Sequence, residues 1–329
     1  MKVVHHERLP YAGQVSIERL FEEIRAFLPD EFEVTQATSP QPSRGLLSRL
    51  ANLKSARRQV GDVHHIVGDT HYLALGLGGR RTVLTIHDCA ALNRLGGWKR
   101  EILRQLWYVL PMRRAAVVTT ISQTTKDELQ RWVGDLADKV VVIPNCVCSE
   151  FTPDAKPFNS EAPVVLQVGT GWNKNVERVA EALKGTACRL EIVGELNAAQ
   201  RTGLTESGVR FSELGRLSDR DLVEAYRRCD LLVFASLYEG FGLPILEAQA
   251  TGRPVITSSI SSMPEVAVDS ACLVDPLDVD SIRNGVLRVV GDSTYREGLV
   301  LAGYENVKRF SAGTIAARYA DVYRKLLVE

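Results

Sequence analysis

No charge of either sign is in excess in this chain of 329 residues, because forty lysines and arginines are matched by forty aspartates and glutamates. That balance argues against nucleic acid, which is held chiefly through its phosphates by a basic surface. No run of about 18 apolar residues occurs, so no segment reads as a transmembrane helix. The opening Met1-Lys2-Val3-Val4-His5-His6-Glu7 lacks the apolar core of a secretion signal. Cysteine is sparse, at 89, 146, 148, 188, 229 and 272, and Cys146-Val147-Cys148 has no second pair at metal spacing. Most of the others sit in or beside apolar runs as small buried hydrophobes, which fits a reduced, cytoplasmic protein. Short repeats and low-complexity tracts are also lacking.

The chain has the composition of a globular protein, 45% hydrophobic and 24% charged, and is long enough for two domains with separate cores. In the second half, short apolar runs at Val164–Gly169, Leu190–Gly194, Asp230–Ser236, Pro254–Ser259 and Ala271–Val274 alternate with helical patterns such as Asn175–Leu183 and Asp219–Cys229. Strands of this kind, joined by helices, predict a doubly wound parallel sheet. The first half shows the same rhythm less clearly, with strands expected at Lys2–His6, Val63–Val67, Thr82–Ile86, Ala116–Ile121 and Val140–Ile143, and a helix over Ile17–Leu28. Ser149–Pro163, with prolines also at 153 and 157 and few apolar residues, reads as the linker. The predicted domains are therefore 1–155 and 156–311, two α/β halves facing a cleft.

The segment Ser236–Ala248, Ser-Leu-Tyr-Glu-Gly-Phe-Gly-Leu-Pro-Ile-Leu-Glu-Ala, carries the most chemistry. It joins the strand at 230–235 to a helix at whose start Pro244 costs no hydrogen bond. Gly240 and Gly242 let the backbone approach a ligand, and the amides heading the helix favour an anion. A phosphate on those amides, with Glu239 and Glu247 accepting from hydroxyls, describes a nucleotide-sugar site. The alternative is a plain Gly-rich turn with two glutamates complementing the helix dipole. In Gly169-Thr-Gly-Trp-Asn-Lys-Asn175, Lys174 stands where it reaches a diphosphate or is simply solvated. In Thr85-Ile-His-Asp88, His87 ends a strand and either faces the cleft or bonds to Asp88 or the loop backbone. Asp278-Val-Asp280 suits a helix cap better than a metal. Residues 44–58 carry five basic residues and no acid, with Leu46, Leu47, Leu50 and Leu53 at helical spacing; residues 94–114 carry six basic residues beside Trp98, Trp107 and Tyr108. Each stretch is either a solvated face over a core stripe or a peripheral membrane contact.

Taken together, Glu239-x7-Glu247 with Gly-Phe-Gly-Leu-Pro between, Lys174-Asn175 before a helix, Thr85-x-His87-Asp88, Thr119-Thr-Ile-Ser122 and Val142-Ile-Pro-Asn145 resemble retaining glycosyltransferases of the GT-B fold, family 4. The likeness is plainest from Thr82 onward. It implies two Rossmann-like domains and a C-terminal helix, 312–329, that crosses back to the first. It also implies His87, Glu239 and Lys174 as catalytic residues, and Gly13, Lys174, Glu239, Gly240, Phe241, Gly242, Leu243 and Glu247 around the donor. Glu239 would hold the sugar hydroxyls, Glu247 the ribose and Lys174 the diphosphate, with the base near Phe211–Leu217. The implied reaction moves a hexose from a UDP- or GDP-hexose to a hydroxyl of a glycan or lipid-linked acceptor, in bacterial surface-polysaccharide assembly at the inner face of the membrane. No cofactor or metal is expected to be required. A non-catalytic nucleotide-sugar-binding subunit and a same-fold epimerase are the alternatives. The chain departs from the family pattern at Thr170, where an arginine is common, at Cys146, where Pro-Asn-Gly is usual, and at Gly13, a single glycine where two are common.

Overall fold

The structure is a computed structural model that describes residues 1–10 and 16–328; the expected phosphate contact Gly13 lies outside the described residues. The chain forms two compact units, Met1–Cys146 with Ala312–Glu329, and Val147–Ser311. The division thus falls before the proline-containing segment 149–163 rather than at 155/156. This segment belongs to the second unit: Lys156 Nζ is 2.8 Å from Asp230 Oδ1, and Asp154 pairs with the buried Arg253.

The first unit contains β1 (Lys2–Glu7), β2 (Glu33–Thr38), β3 (Val63–Ile66), β4 (Thr82–Ile86), β5 (Val117–Thr120) and β6 (Val140–Val142). All pair in parallel, in the order β2-β1-β3-β4-β5-β6. Four of these strands are buried along most of their length, with both faces covered as parallel sheets require, and β1 and β3 bury histidines beside their valines and isoleucine. β2 is the strand that the sequence pattern missed. It is an edge strand with sequence Glu-Val-Thr-Gln-Ala-Thr and is mostly exposed, so it needs no apolar run.

The helix Ala312–Val328 closes one side of this sheet. Ile315, Ala316, Tyr319, Ala320 and Tyr323 share a buried core with Phe21 and Ile24 of the helix Ser16–Ala26. Each large apolar side chain buried there contributes about 1.5–3 kcal/mol. The opposite core holds Ile66, Leu84, Ile86, Leu92 and Met112.

The second unit contains β7 (Val164–Val168), β8 (Arg189–Val193), β9 (Phe211–Gly215), β10 (Leu231–Phe234), β11 (Val255–Ser258) and β12 (Cys272–Val274), again all parallel. Their order β9-β8-β7-β10-β11-β12 is the Rossmann arrangement, whose direction of winding reverses between β7 and β10. Loops leaving the carboxyl ends of two strands that neighbour across such a reversal diverge and leave a crevice. Lys174 and Glu239 lie on those two loops.

Candidate functional site

The loop after β7 is built around Gly169, whose φ of 90° suits glycine. A Cβ there would lie 2.8 Å from Lys174 Cε, so the absent side chain is what lets the lysine fold back over the loop. The lysine stem then runs across the Phe234 ring, with Nζ 4.5 Å from its centroid, and Nζ reaches Glu239 Oε1 at 2.7 Å. Both side chains are largely shielded, with 19% and 15% of their surfaces exposed, so the pair is less screened than a surface ion pair.

Four neighbours set this geometry. Asn173 Nδ2 donates to the Tyr238 carbonyl at 2.8 Å and to Glu239 Oε1 at 3.1 Å. Gln167 Nε2 donates to the Lys174 carbonyl. Asn175, in the left-handed region at φ 58°, donates from Nδ2 to the Ala235 and Pro276 carbonyls, tying the two loops beneath the pair. Ser261 Oγ accepts from the Glu239 amide at 3.1 Å and donates to its carbonyl at 2.8 Å. Asn173, Gln167 and Ser261 were not singled out from the sequence, and Asn175 only as the second member of the Lys174-Asn175 pair. An asparagine tolerating positive φ before a helix is a legible signal, whereas the contacts of Asn173 and Ser261 to Glu239 span 66 and 22 residues.

Gly242, at φ 113°, turns the chain into the helix Leu243–Ala250, with Pro244 in its first turn. Phe241 is buried, while Gly240 and Leu243 are half-buried. The positive end of the helix dipole therefore points out of the loop that holds Glu239. One turn further in, Glu247 Oε2 accepts from Tyr226 Oη at 2.6 Å, and the Tyr226 ring is fully buried. Tyr226 lies on the helix Asp219–Arg228 and was another residue that sequence spacing could not reveal.

His87 follows β4 in the first unit. Its Nε2–H donates to the Val67 carbonyl at 2.8 Å, which leaves Nδ1 as an acceptor. Burial lowers its pKa from the ordinary histidine value, against the opposing effects of that carbonyl and Asp88, so the ring is neutral at pH 7. Asp88 does not bond to it; its Oδ1 accepts from the Ala90 amide and shapes the next turn. Asp278 Oδ1 likewise accepts from the Asp280 amide as a helix cap, and no cluster of three metal-ligating side chains occurs among the described residues.

Two Rossmann-like units, each a parallel sheet wound in both directions, are the architecture of the GT-B fold. The Anabaena protein Alr3699/HepE, solved in complex with UDP and glucose, has this fold: its TM-score is 0.80 at 18% identity, over 99% of this chain and 100% of that one. The family model described as "Glycosyl transferases group 1" matches residues 149–306, and "Glycosyltransferase Family 4" matches residues 18–151. An "MMP alpha-(1->4)-mannosyltransferase" of Mycolicibacterium hassiacum is 34% identical over 324 residues, 88% of this chain and 76% of that protein. The chain belongs to glycosyltransferase family 4. "O-antigen chain mannosyltransferase B" of Escherichia coli is 27% identical over 75% of this chain and 71% of its own length. Against the serotype-specific mannosyltransferase WbdA of Escherichia coli, the 35% identical match covers 65% of this chain but only 29% of that longer protein.

Proposed function

We propose that the protein is a retaining hexosyltransferase, with mannose as the hexose. It takes the sugar from a nucleotide diphosphate donor and places it on a hydroxyl of a glycan or lipid-linked glycan in surface-polysaccharide assembly. The observation that carries this reading is the Lys174–Glu239 pair, 2.7 Å apart beside the N-terminus of the helix Leu243–Ala250. One cation, one carboxylate and one helix dipole are there the complement of a sugar diphosphate. The mannosyltransferase relatives support the choice of sugar.

In the reaction, the bond between the sugar anomeric carbon and the diphosphate oxygen breaks as the acceptor hydroxyl approaches from the same face. The departing phosphate oxygen takes the hydroxyl proton, so configuration is kept without a covalent sugar–enzyme adduct. Lys174 exchanges Glu239 for the diphosphate and stabilises the charge that develops on it. Glu239, released from the lysine but still held by Asn173, accepts from the sugar hydroxyls, and Glu247 accepts from the ribose. Ordering donor contacts around a nearly preformed site places binding energy on the departing group, where it lowers the barrier.

A thermal-shift screen of GDP, UDP and their hexoses tests the donor, because a ligand that binds only the folded chain raises its melting temperature. GDP-mannose is expected to give the largest shift. Transfer to a mannoside acceptor should yield an anomer of the donor's configuration by NMR. An inverted product would refute the retaining mechanism. Binding without transfer to any acceptor would favour a non-catalytic subunit instead.

A further inference from the structure

The two basic stretches of the first unit are neighbours, and for Leu46, Leu47 and Leu50 the structure removes the reading of a core stripe, whereas Leu53, Trp107 and Tyr108 do pack on the core. On the helix Leu46–Ala56, the leucines do not line a core: Leu46, Leu47 and Leu50 are 72%, 83% and 51% exposed, and only Leu53 packs inward. Residues 97–114 form a continuous helix whose middle, Arg104–Val109, is π-helical. Along it, Trp98, Ile102, Leu106 and Leu110 are 70%, 49%, 40% and 39% exposed.

In an α-helix, positions four apart advance by about 40° beyond a full turn, so a four-residue stripe would wind away. The wider π turn advances less per residue, and it returns Leu106 and Leu110 toward the line of Trp98 and Ile102. Arg49 stacks on Trp107 at 4.4 Å, and Trp107 lies 5.2 Å from Tyr72, so the two helices are neighbours on one face.

Around these seven large apolar side chains, residues 44–58 and 94–114 hold eleven basic residues and one acid, in a chain whose total charge is zero. That acid, Glu101, is already paired with Arg104 at 2.7 Å. We propose that this face docks on an anionic lipid bilayer, with Leu46, Leu47, Leu50, Trp98 and Ile102 entering the headgroup boundary and the cations resting on lipid phosphates. A second copy of the chain would also cover the leucines, but a two-fold interface sets each patch against its own like charge. An anionic membrane satisfies both halves of the pattern, apolar penetration and charge. The inference stands independently of which sugar is transferred.

The test is co-flotation with vesicles of phosphatidylcholine alone and of phosphatidylcholine mixed with phosphatidylglycerol. The protein is expected to float with the mixed vesicles, far less with the neutral ones, and to be released by salt. Leu47→Glu combined with Trp98→Ala should weaken flotation by at least about tenfold, since two large apolar groups leave the bilayer. Lys54→Ser, Arg58→Ser and Lys99→Ser together should abolish the preference for phosphatidylglycerol. All five positions are exposed, and an unchanged melting temperature in both variants confirms folding. No flotation with mixed vesicles, or unaltered flotation of the Leu47/Trp98 variant, would overturn the proposal. So would a dimer in lipid-free solution that Leu47→Glu dissociates.

Discussion

The two units share a six-stranded parallel sheet but line it differently beneath the winding reversal. In the second unit, the reversal between β7 and β10 carries the Lys174–Glu239 pair, which the proposed donor would exchange for its own charge. In the first, the reversal lies between β1 and β3; neutral polar rings fill the strand interiors beneath it, and the end of β1 carries ion pairs of its own, Glu7–Arg25 at 2.7 Å and Arg8–Glu18 at 2.8 Å. Tyr323 Oη sits 3.0 Å from His5 Nε2 and 2.7 Å from His65 Nδ1, His65 Nε2 meets Thr85 Oγ1, and His6 Nε2 meets His64 Nδ1. All six histidines of the chain lie in this unit. The topology that creates a crevice is common to both units, but only the first lines the sheet beneath it with histidines. What differs is the layer beneath the reversal: neutral rings that satisfy one another in β1 and β3, and mostly apolar side chains in β7 and β10.

The largest effect expected from breaking this contrast is on the charged pair. Lys174→Ala removes the cation on the leaving group and should lower kcat by about 10²–10³, the loss typical of a deleted charge-stabilising donor, with a smaller change in KM. Glu239→Gln should cost nearly as much, because the amide cannot accept from the sugar hydroxyls as strongly. Steady-state kinetics with saturating acceptor separates kcat from KM. A lysine variant that loses only donor affinity would move Lys174 out of the chemical step.

The neutral network of the first unit makes the next prediction, on stability. Burial lowers the pKa of His5 and His6 to about 3 and that of His71 to about 4, while the unfolded residues titrate near the ordinary value of 6.5. Between these values the unfolded chain binds protons that the folded chain refuses, so stability falls as pH drops from about 6.5 toward 3–4. The second unit has no histidine. Hydrogen exchange at pH 7 and pH 5 should therefore show protection lost first in β1 and β3; earlier loss in β7 and β10 would contradict the assignment. Tyr323→Phe, which leaves His5 and His65 short of a partner, should cost about 1–3 kcal/mol at pH 7.

The contrast also bears on what the sequence makes legible. Glu239, Lys174 and Glu247 are recognisable because strand, glycine loop and helix follow in order along the chain, and the chemistry sits on that local pattern. Most buried strands are visible for the same reason, as short apolar runs, while β1 and β3 show only valines and an isoleucine around their histidines. β2 is not, since an exposed edge strand needs no such run. Asn173, Ser261 and Tyr226 escape because their meaning comes from partners brought together by the sheet, 66, 22 and 21 residues away. The leucines of 46–53 have a helical period that fits a core and a surface equally well. Periodicity specifies a face, but only packing shows what lies against it.

Glu247→Ala should raise the donor dissociation constant by about tenfold through the lost ribose contact, a value typical of a hydrogen bond to a charged group. The smallest effect, and the sharpest, concerns Tyr226. Its hydroxyl donates to Glu247 at 2.6 Å from a fully buried ring, so it orients the carboxylate without reaching the ligand itself. Tyr226→Phe keeps the ring packing and removes that bond, and the donor affinity should fall by about threefold, the cost of a less firmly held carboxylate. If Tyr226 acts solely through Glu247, then in the Glu247→Ala background Tyr226→Phe changes affinity no further, and the coupling between the two substitutions equals the whole single-mutant effect. Isothermal titration of the four proteins measures that coupling. Additive losses would show that Tyr226 supports the donor site by another route, through the helix Asp219–Arg228 and β10 beside it.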